Sequence, residues 1–173
     1  LHFRLERPLT IFFRVAPPET LHAGSIPRVT DPTADGRTAA ALRVLVYASN
    51  AATRERVRLA LGTRPHPDLP PLEFVDVATP AAVIDRFDAG GLDLAILDGE
   101  ATPAGGLGVA KQVKDEIDAP PPILVLIGRR DDAWLAKWSR AEATVAHPID
   151  PMELTSAVVR LLRGSVGSAG TGR

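Results

Sequence analysis

There is no cysteine among the 173 residues, and that one absence removes disulfide scaffolds, thiolate metal centres, iron–sulfur clusters and a cysteine nucleophile. Net charge is nearly absent too. The 20 Lys+Arg stand against 21 Asp+Glu, a formal −1, so no overall field draws the chain onto phosphate backbones or anionic lipid. Long apolar runs are missing: Ile123 to Ile127 and Leu94 to Leu97 fall far short of the roughly 20 residues that a spanning helix needs. No secretory leader is visible, because Leu9 to Phe13 is cut short by Arg14. There is neither a G-x-G-x-x-G nor a G-x-x-x-x-G-K-[ST] motif, and His2, His22 and His66 stand alone, outside any spacing such as H-x-x-x-H. Dinucleotide, P-loop and metalloenzyme readings therefore fail. The expectation is a cytoplasmic protein with no membrane insertion and no direct nucleic-acid binding. What is present is core-forming material, 45% hydrophobic residues in a length suited to one domain.

Residues 1 to 41 differ in character from the remainder of the chain. Five of the sixteen prolines fall there (Pro8, Pro17, Pro18, Pro27, Pro32), and no helical or strand period survives between them. This stretch is expected to be a disordered leader or a misplaced start. The chain begins with Leu1, and Val29 is a candidate start, since an initiating GTG codon is read as methionine. Gly164 to Arg173, mostly Gly, Ser, Ala and Thr, reads as a flexible tail.

Between these ends, from 42 to 163, the periods alternate. Leu42 to Tyr47 is strand-like, and Asn50 caps a helix continuing to about Leu61. Gly62 to Pro71 holds four prolines and reads as a loop. Leu72 to Ala78 is a second strand, and Thr79-Pro80 opens a helix with Val83, Ile84 and Phe87 on one stripe, closed by Gly90-Gly91. Leu92 to Leu97 is a third strand. A glycine-rich loop leads to a helix bearing Val109, Val113 and Ile117, stopped by Pro120-Pro121-Pro122 before the Ile123 to Ile127 strand. Asp131 or Asp132 is expected to start the fourth helix. A short Thr144 to Ala146 strand and a helix from Asp150-Pro151 to near Arg163 complete five βα units. Apolar strands separated by helices specify parallel crossovers with both sheet faces covered, so the expected fold is a doubly wound α/β three-layer sandwich around a five-stranded parallel sheet.

In such a sheet the site lies outside the carboxyl ends of the strands, near the point where strand order reverses. The residues expected there are Ala48, Ser49 and Asn50 after the first strand, Asp98 with Gly99 and Glu100 after the third, Ile127 and Gly128 at the fourth, and His147 and Pro148 after the fifth. Asp98 is a carboxylate delivered straight from a buried run. Its role is either that of a turn former or a reactive one.

Leu42 to Tyr47, Leu92 to Asp98, Pro122 to Gly128 and Ala141 to Pro151 together resemble the flavodoxin-like receiver domain of two-component response regulators, the CheY-like (βα)5 family. The likeness runs from about Leu42 to Arg163. It is greatest to small stand-alone atypical regulators of actinobacteria. The resemblance implies that Asp98 is the phosphoacceptor served by a sensor histidine kinase, that the chain is not an enzyme, and that it works through a protein partner, with a homodimer as one option. It also implies machinery that this sequence lacks. Ala48 and Ser49 replace the acidic pair that holds Mg²⁺, leaving Asp98, helped by Ser49 or Glu100, as a weak magnesium candidate. Ile127 replaces the hydroxyl residue, Thr144 replaces the switching aromatic residue, and His147 replaces the lysine while keeping the following proline. Histidine ordinarily titrates near pH 6.5, so a pair with Asp98 becomes conditional on pH. Trp134 and Trp138, four apart on the fourth helix, form with Thr144 a candidate partner face; the alternative is core packing, expected for at least one of the two. The expected function is a stand-alone receiver with a degenerate acceptor site acting by protein contact; the alternative is a working phosphoacceptor with unusual ligands. A flavodoxin-like small-molecule binder ranks last.

Overall fold

Apolar residues that alternate along each strand must go to opposite faces of a sheet, and both faces here are covered. The computed structural model describes residues 40–169. The leader reading, with Val29, lies outside the described residues. The order is β1 (Leu42–Tyr47), α1 (Ala51–Leu61), β2 (Leu72–Val77), α2 (Pro80–Asp88), β3 (Leu94–Asp98), α3 (Gly106–Glu116), β4 (Ile123–Ile127), a 3-10 turn (Arg130–Ala133), α4 (Trp134–Ser139), β5 (Ala143–Ala146) and α5 (Pro151–Ala169). The strands form one sheet in the order β2-β1-β3-β4-β5, every neighbouring pair parallel. The expected doubly wound (βα)5 fold is what forms.

One face of the sheet, with Val46, Ile96 and Leu126, packs on Val57 of α1 and Leu154 and Val158 of α5. The other face, with Leu45, Leu97 and Val125, packs on Val83 and Phe87 of α2 and Val109 and Val113 of α3. Each fully buried aliphatic side chain of this kind contributes roughly 1.5–3 kcal/mol. The chain runs outward from β1 to β2 and returns to β3, so strand order reverses between β1 and β3. Ala48 and Asp98 stand at that crevice.

Helix starts follow their caps. Asn50 accepts the Ala52 N–H at 2.8 Å, Thr79 accepts the Ala82 N–H at 3.3 Å ahead of Pro80, and Asp150 accepts from Met152 and Glu153 at 2.8 and 3.0 Å. Four details depart from the sequence reading. β3 starts at Leu94 and takes in Asp98, because Asp93 is occupied in pairing with Arg43: its Oδ2 accepts the Arg43 N–H at 2.7 Å. The fourth helix opens as a 3-10 turn over Arg130–Ala133. Trp134 and Trp138 are both exposed, at 68% and 53%, so neither is a core residue. The cause is the shortness of α4, six residues whose only buried member is Ser139. Finally, α5 does not stop near Arg163. It continues to Ala169, with Ser165 Oγ donating to the Leu161 carbonyl at 2.9 Å, so the first residues of the expected tail are helical. The Gly62 to Pro71 loop is tied by Arg64, which donates to the Leu69 and Pro67 carbonyls. No helix among the described residues is long and apolar enough to cross a membrane.

The junction of β3 with α3 is crowded. A Cβ at Gly106 would stand 2.8 Å from the Asp98 carbonyl oxygen and 2.8 Å from the Leu97 carbonyl carbon, whereas one at Gly108 meets nothing within 4 Å. Gly106→Ala should therefore lower unfolding stability by about 1–3 kcal/mol. Gly108→Ala, in the same helix, should raise it by roughly 0.5–1 kcal/mol. Urea midpoints of the two variants check the opposite signs.

Candidate functional site

A buried run of Leu94, Ala95, Ile96 and Leu97 ends in Asp98, which is 4% exposed. A carboxylate so placed must be hydrogen-bonded. Its Oδ1 accepts the Glu100 N–H at 3.0 Å, and His147 Nε2 stands 3.4 Å from the same oxygen. That second distance is long for a hydrogen bond, so the contact is electrostatic and is an ion pair only when the imidazole is protonated. No buried side-chain nitrogen or oxygen among the described residues lacks a partner.

The backbone brings the two groups together. Asp98 is level with Leu126 in the register, the Gly99 N–H bonds the Leu126 carbonyl at 2.8 Å, and the His147 N–H bonds the Ile127 carbonyl at 2.8 Å. His147 is half-buried and precedes Pro148 through a cis peptide bond; Thr102-Pro103 is also cis. At the end of β1, Ala48 is buried and presents only a methyl group, and the Ser49 hydroxyl accepts the Thr102 N–H at 3.2 Å. Asn50 is used as the α1 cap. Ile127 is buried and apolar, and Gly128 lies under the Glu100 side chain.

Two participants were not expected from the sequence. Tyr47, the only tyrosine, is buried at the end of β1 and donates from its hydroxyl to the Ala104 carbonyl at 2.6 Å, tying the β3–α3 loop to the sheet. Burial first, and the negative charge of Asp98 second, push its hydroxyl above its ordinary pKa of 10.0. Arg54 folds back over the strand end: it donates to the Ala48 carbonyl, and its Nε lies 3.8 Å from Asp76 Oδ2. The basic edge of α1 is thus engaged, since Arg58 also pairs with Asp76 and Glu55. Periodicity puts Tyr47 in the core; only strand pairing puts its hydroxyl near Asp98.

Thr144 is half-buried beside a shallow hollow of about 170 Å³, shared with Ile127, Arg130 and Glu153. Arg130 and Glu153 pair across 3.1 Å there, holding the turn before α4 against α5. The glycine-rich loop has a steric explanation: a Cβ at Gly105 would come within 2.5 Å of the Gly99 carbonyl oxygen.

An open parallel sheet of this order is the flavodoxin-like arrangement that receiver domains share, and here one buried aspartate stands at the mouth of its central strand. Two uncharacterized response regulatory proteins of Mycobacterium tuberculosis strains are 65% identical to this chain over 123 residues, 71% of this chain and 92% of theirs. No protein-family model matches. Among solved structures, a CheY-like receiver domain from Methanospirillum hungatei superposes with a TM-score of 0.61 at 14% identity, over 75% of this chain and 99% of that one. The receiver domain of an HD domain-containing protein from Pseudomonas fluorescens gives 0.64 at 15% identity, over 76% and 94%. The chain belongs to the response regulator family of two-component signalling, and residues 40–169 carry its receiver fold.

The fold family implies a magnesium ion beside the acceptor aspartate. The residues present do not fit one. Among the described residues no group of three or more His, Asp or Glu side chains is placed to hold a metal, the β1 end supplies a methyl group and a hydroxyl already in use, Asp98 Oδ1 faces His147, and the Glu100 carboxylate is exposed over Gly128.

Tyr47 generates a pH prediction. Its folded pKa is raised, so the folded state holds this proton more tightly than the unfolded chain. That contribution is complete below pH 10.0 and is lost as pH rises from there through the folded value. Wild type should lose stability more steeply above that pH than Tyr47→Phe, measured by urea unfolding at stepped pH. At neutral pH Tyr47→Phe should cost about 0.5–1.5 kcal/mol for the lost bond to Ala104.

Proposed function

We propose that this response regulator acts through protein–protein contact made by its unmodified receiver domain, that its acceptor site is degenerate, and that it has no enzymatic activity of its own. The observation carrying this reading is the Asp98 mouth. There a methyl group at Ala48, an apolar Ile127 and a titratable His147 stand where phosphoryl transfer needs metal-bound charge, a hydroxyl donor and a permanent cation. Trp134 and Trp138, on one face of α4 and both exposed, supply the anchors; large aromatic side chains are the usual source of binding energy at protein interfaces.

A second reading is favoured by one feature. Asp98 keeps the strand-end position, buried and fixed by the Glu100 N–H, which suits an acceptor loaded by a sensor histidine kinase. The two readings separate in one experiment, the intact mass of the full chain after incubation with acetyl phosphate and Mg²⁺, with Asp98→Ala as control. The degenerate site should show no phosphoryl adduct under conditions that label an ordinary receiver. An adduct that disappears in Asp98→Ala would establish the second reading instead. Trp134→Ala and Trp138→Ala should each change stability by no more than about 0.5 kcal/mol, as expected for surface residues, which leaves them clean probes of partner binding. Urea midpoints check this.

A further inference from the structure

At the end of the sheet opposite Asp98, where β3 and β4 begin, a cavity of about 320 Å³ opens beside the last turns of α2 and α3. Its floor is apolar. Phe87, Leu92 and Ile117 belong to, or pack on, the core cluster beneath α2 and α3, and the run from Pro120 to Pro122 forms a wall. Two carboxylates, Asp93 and Asp118, reach the lining, and no basic side chain of the described residues does.

The backbone adds to that negative charge. Strands that all enter a parallel sheet from one end bring the carboxyl ends of their crossover helices to the same end. α2 runs out through Phe87 into Gly90 and Gly91, and α3 runs out through Ile117 into Asp118, so the segments leaving both helices line the cavity. A helix carboxyl end is equivalent to roughly half a negative charge. Arg43 stands at the rim but is engaged: its guanidinium donates to the Gly91 carbonyl at 3.4 Å, and its backbone N–H donates to Asp93 Oδ2 at 2.7 Å. Asp93 Oδ1 and the whole Asp118 carboxylate have no partner among the described residues. The rim is held in an unusual conformation as well, with φ of 69° at Gly90, 72° at Gly91 and 48° at Ala119. A residue with a Cβ, such as Ala119, is kept in the left-handed region against a steric cost, and residues kept so gather at ligand sites.

These features select a class of ligand. An anion would be repelled by both carboxylates and both helix ends. A bare metal ion would find no third acidic or histidine ligand among the described residues. The volume lies at the low end of the range of about 300–1,000 Å³ usual for ligand pockets. We propose that this cavity binds a small organic cation, with an apolar body seated on Phe87, Leu92 and Ile117 and an amino or amidino group held against the Asp93 and Asp118 carboxylates. The site lies at the other end of the strands from Asp98 and does not depend on how that residue is used.

The test follows the backbone amide resonances of the full chain by NMR as benzamidine is added, with benzamide and benzoate as its neutral and anionic counterparts of similar shape. Benzamidine should give saturating shifts at Gly90, Gly91, Leu92, Asp118 and Ala119, benzamide should bind at least about tenfold more weakly, benzoate should not bind, and added salt should weaken benzamidine. Asp118→Asn should weaken benzamidine about threefold and leave benzamide unchanged. Asp93→Asn keeps an acceptor for the Arg43 N–H and should act in the same direction, the two together weakening benzamidine about tenfold. Each variant is first confirmed as folded by its amide spectrum; if the combined variant does not fold, Asp118→Asn and the comparison of the three ligands decide. Equal binding of benzamidine and benzamide overturns the inference, as do benzamidine shifts that map elsewhere, never saturate or persist undiminished in the variants.

Discussion

The constraint on which the rest of this molecule depends is a parallel sheet buried on both faces. Leu94 to Leu97 and Ile123 to Ile127 have no side that meets water, so their strands tolerate only apolar side chains, and polar chemistry is confined to where they stop. Asp98 is charged because it is the residue at which β3 emerges. It stays buried because the loop to α3 folds back over it, packed by glycines too close to the strand for a side chain. One arrangement thus sets both the core and the place of the site.

The balance of charge at one mouth governs what the site can do. Asp98 contributes a buried carboxylate, Glu100 an exposed one that lies over Gly128, His147 a cation only when protonated, and the Arg54 guanidinium of α1 is drawn to the Ala48 carbonyl and Asp76. Relatives of the same family reach 65% identity in mycobacteria, which makes the departures at Ala48, Ile127, Thr144 and His147 features of a receiver rather than of some other fold. On the function proposed, it is the surface with its two exposed tryptophans, and not the strand ends, that meets a partner.

Five strands and the helices between them were readable as periods, caps and stops, because burial on both faces leaves near-continuous apolar runs and each crossover helix must show a stripe. The misreadings share one physical origin. Trp134 and Trp138 look like core residues by type and spacing, yet α4 is too short to bury them. Gly164 to Ala169 look like the start of a tail, yet α5 carries on through them with Ser165 bonded to the preceding turn. Type and spacing describe what a residue prefers, whereas packing depends on which surface lies opposite.

The sequence alone determined the class of fold and that Asp98 emerges at the end of a buried strand, since these follow from local periods and from the rule that a buried strand carries its charge at its end. Tertiary structure decided what surrounds Asp98. That Tyr47 lies in its field, that His147 comes within 3.4 Å and that Glu100 reaches over Gly128 depend on strand register and crossover connections. Asp98 and His147 are 49 positions apart, a separation over which no local pattern carries information.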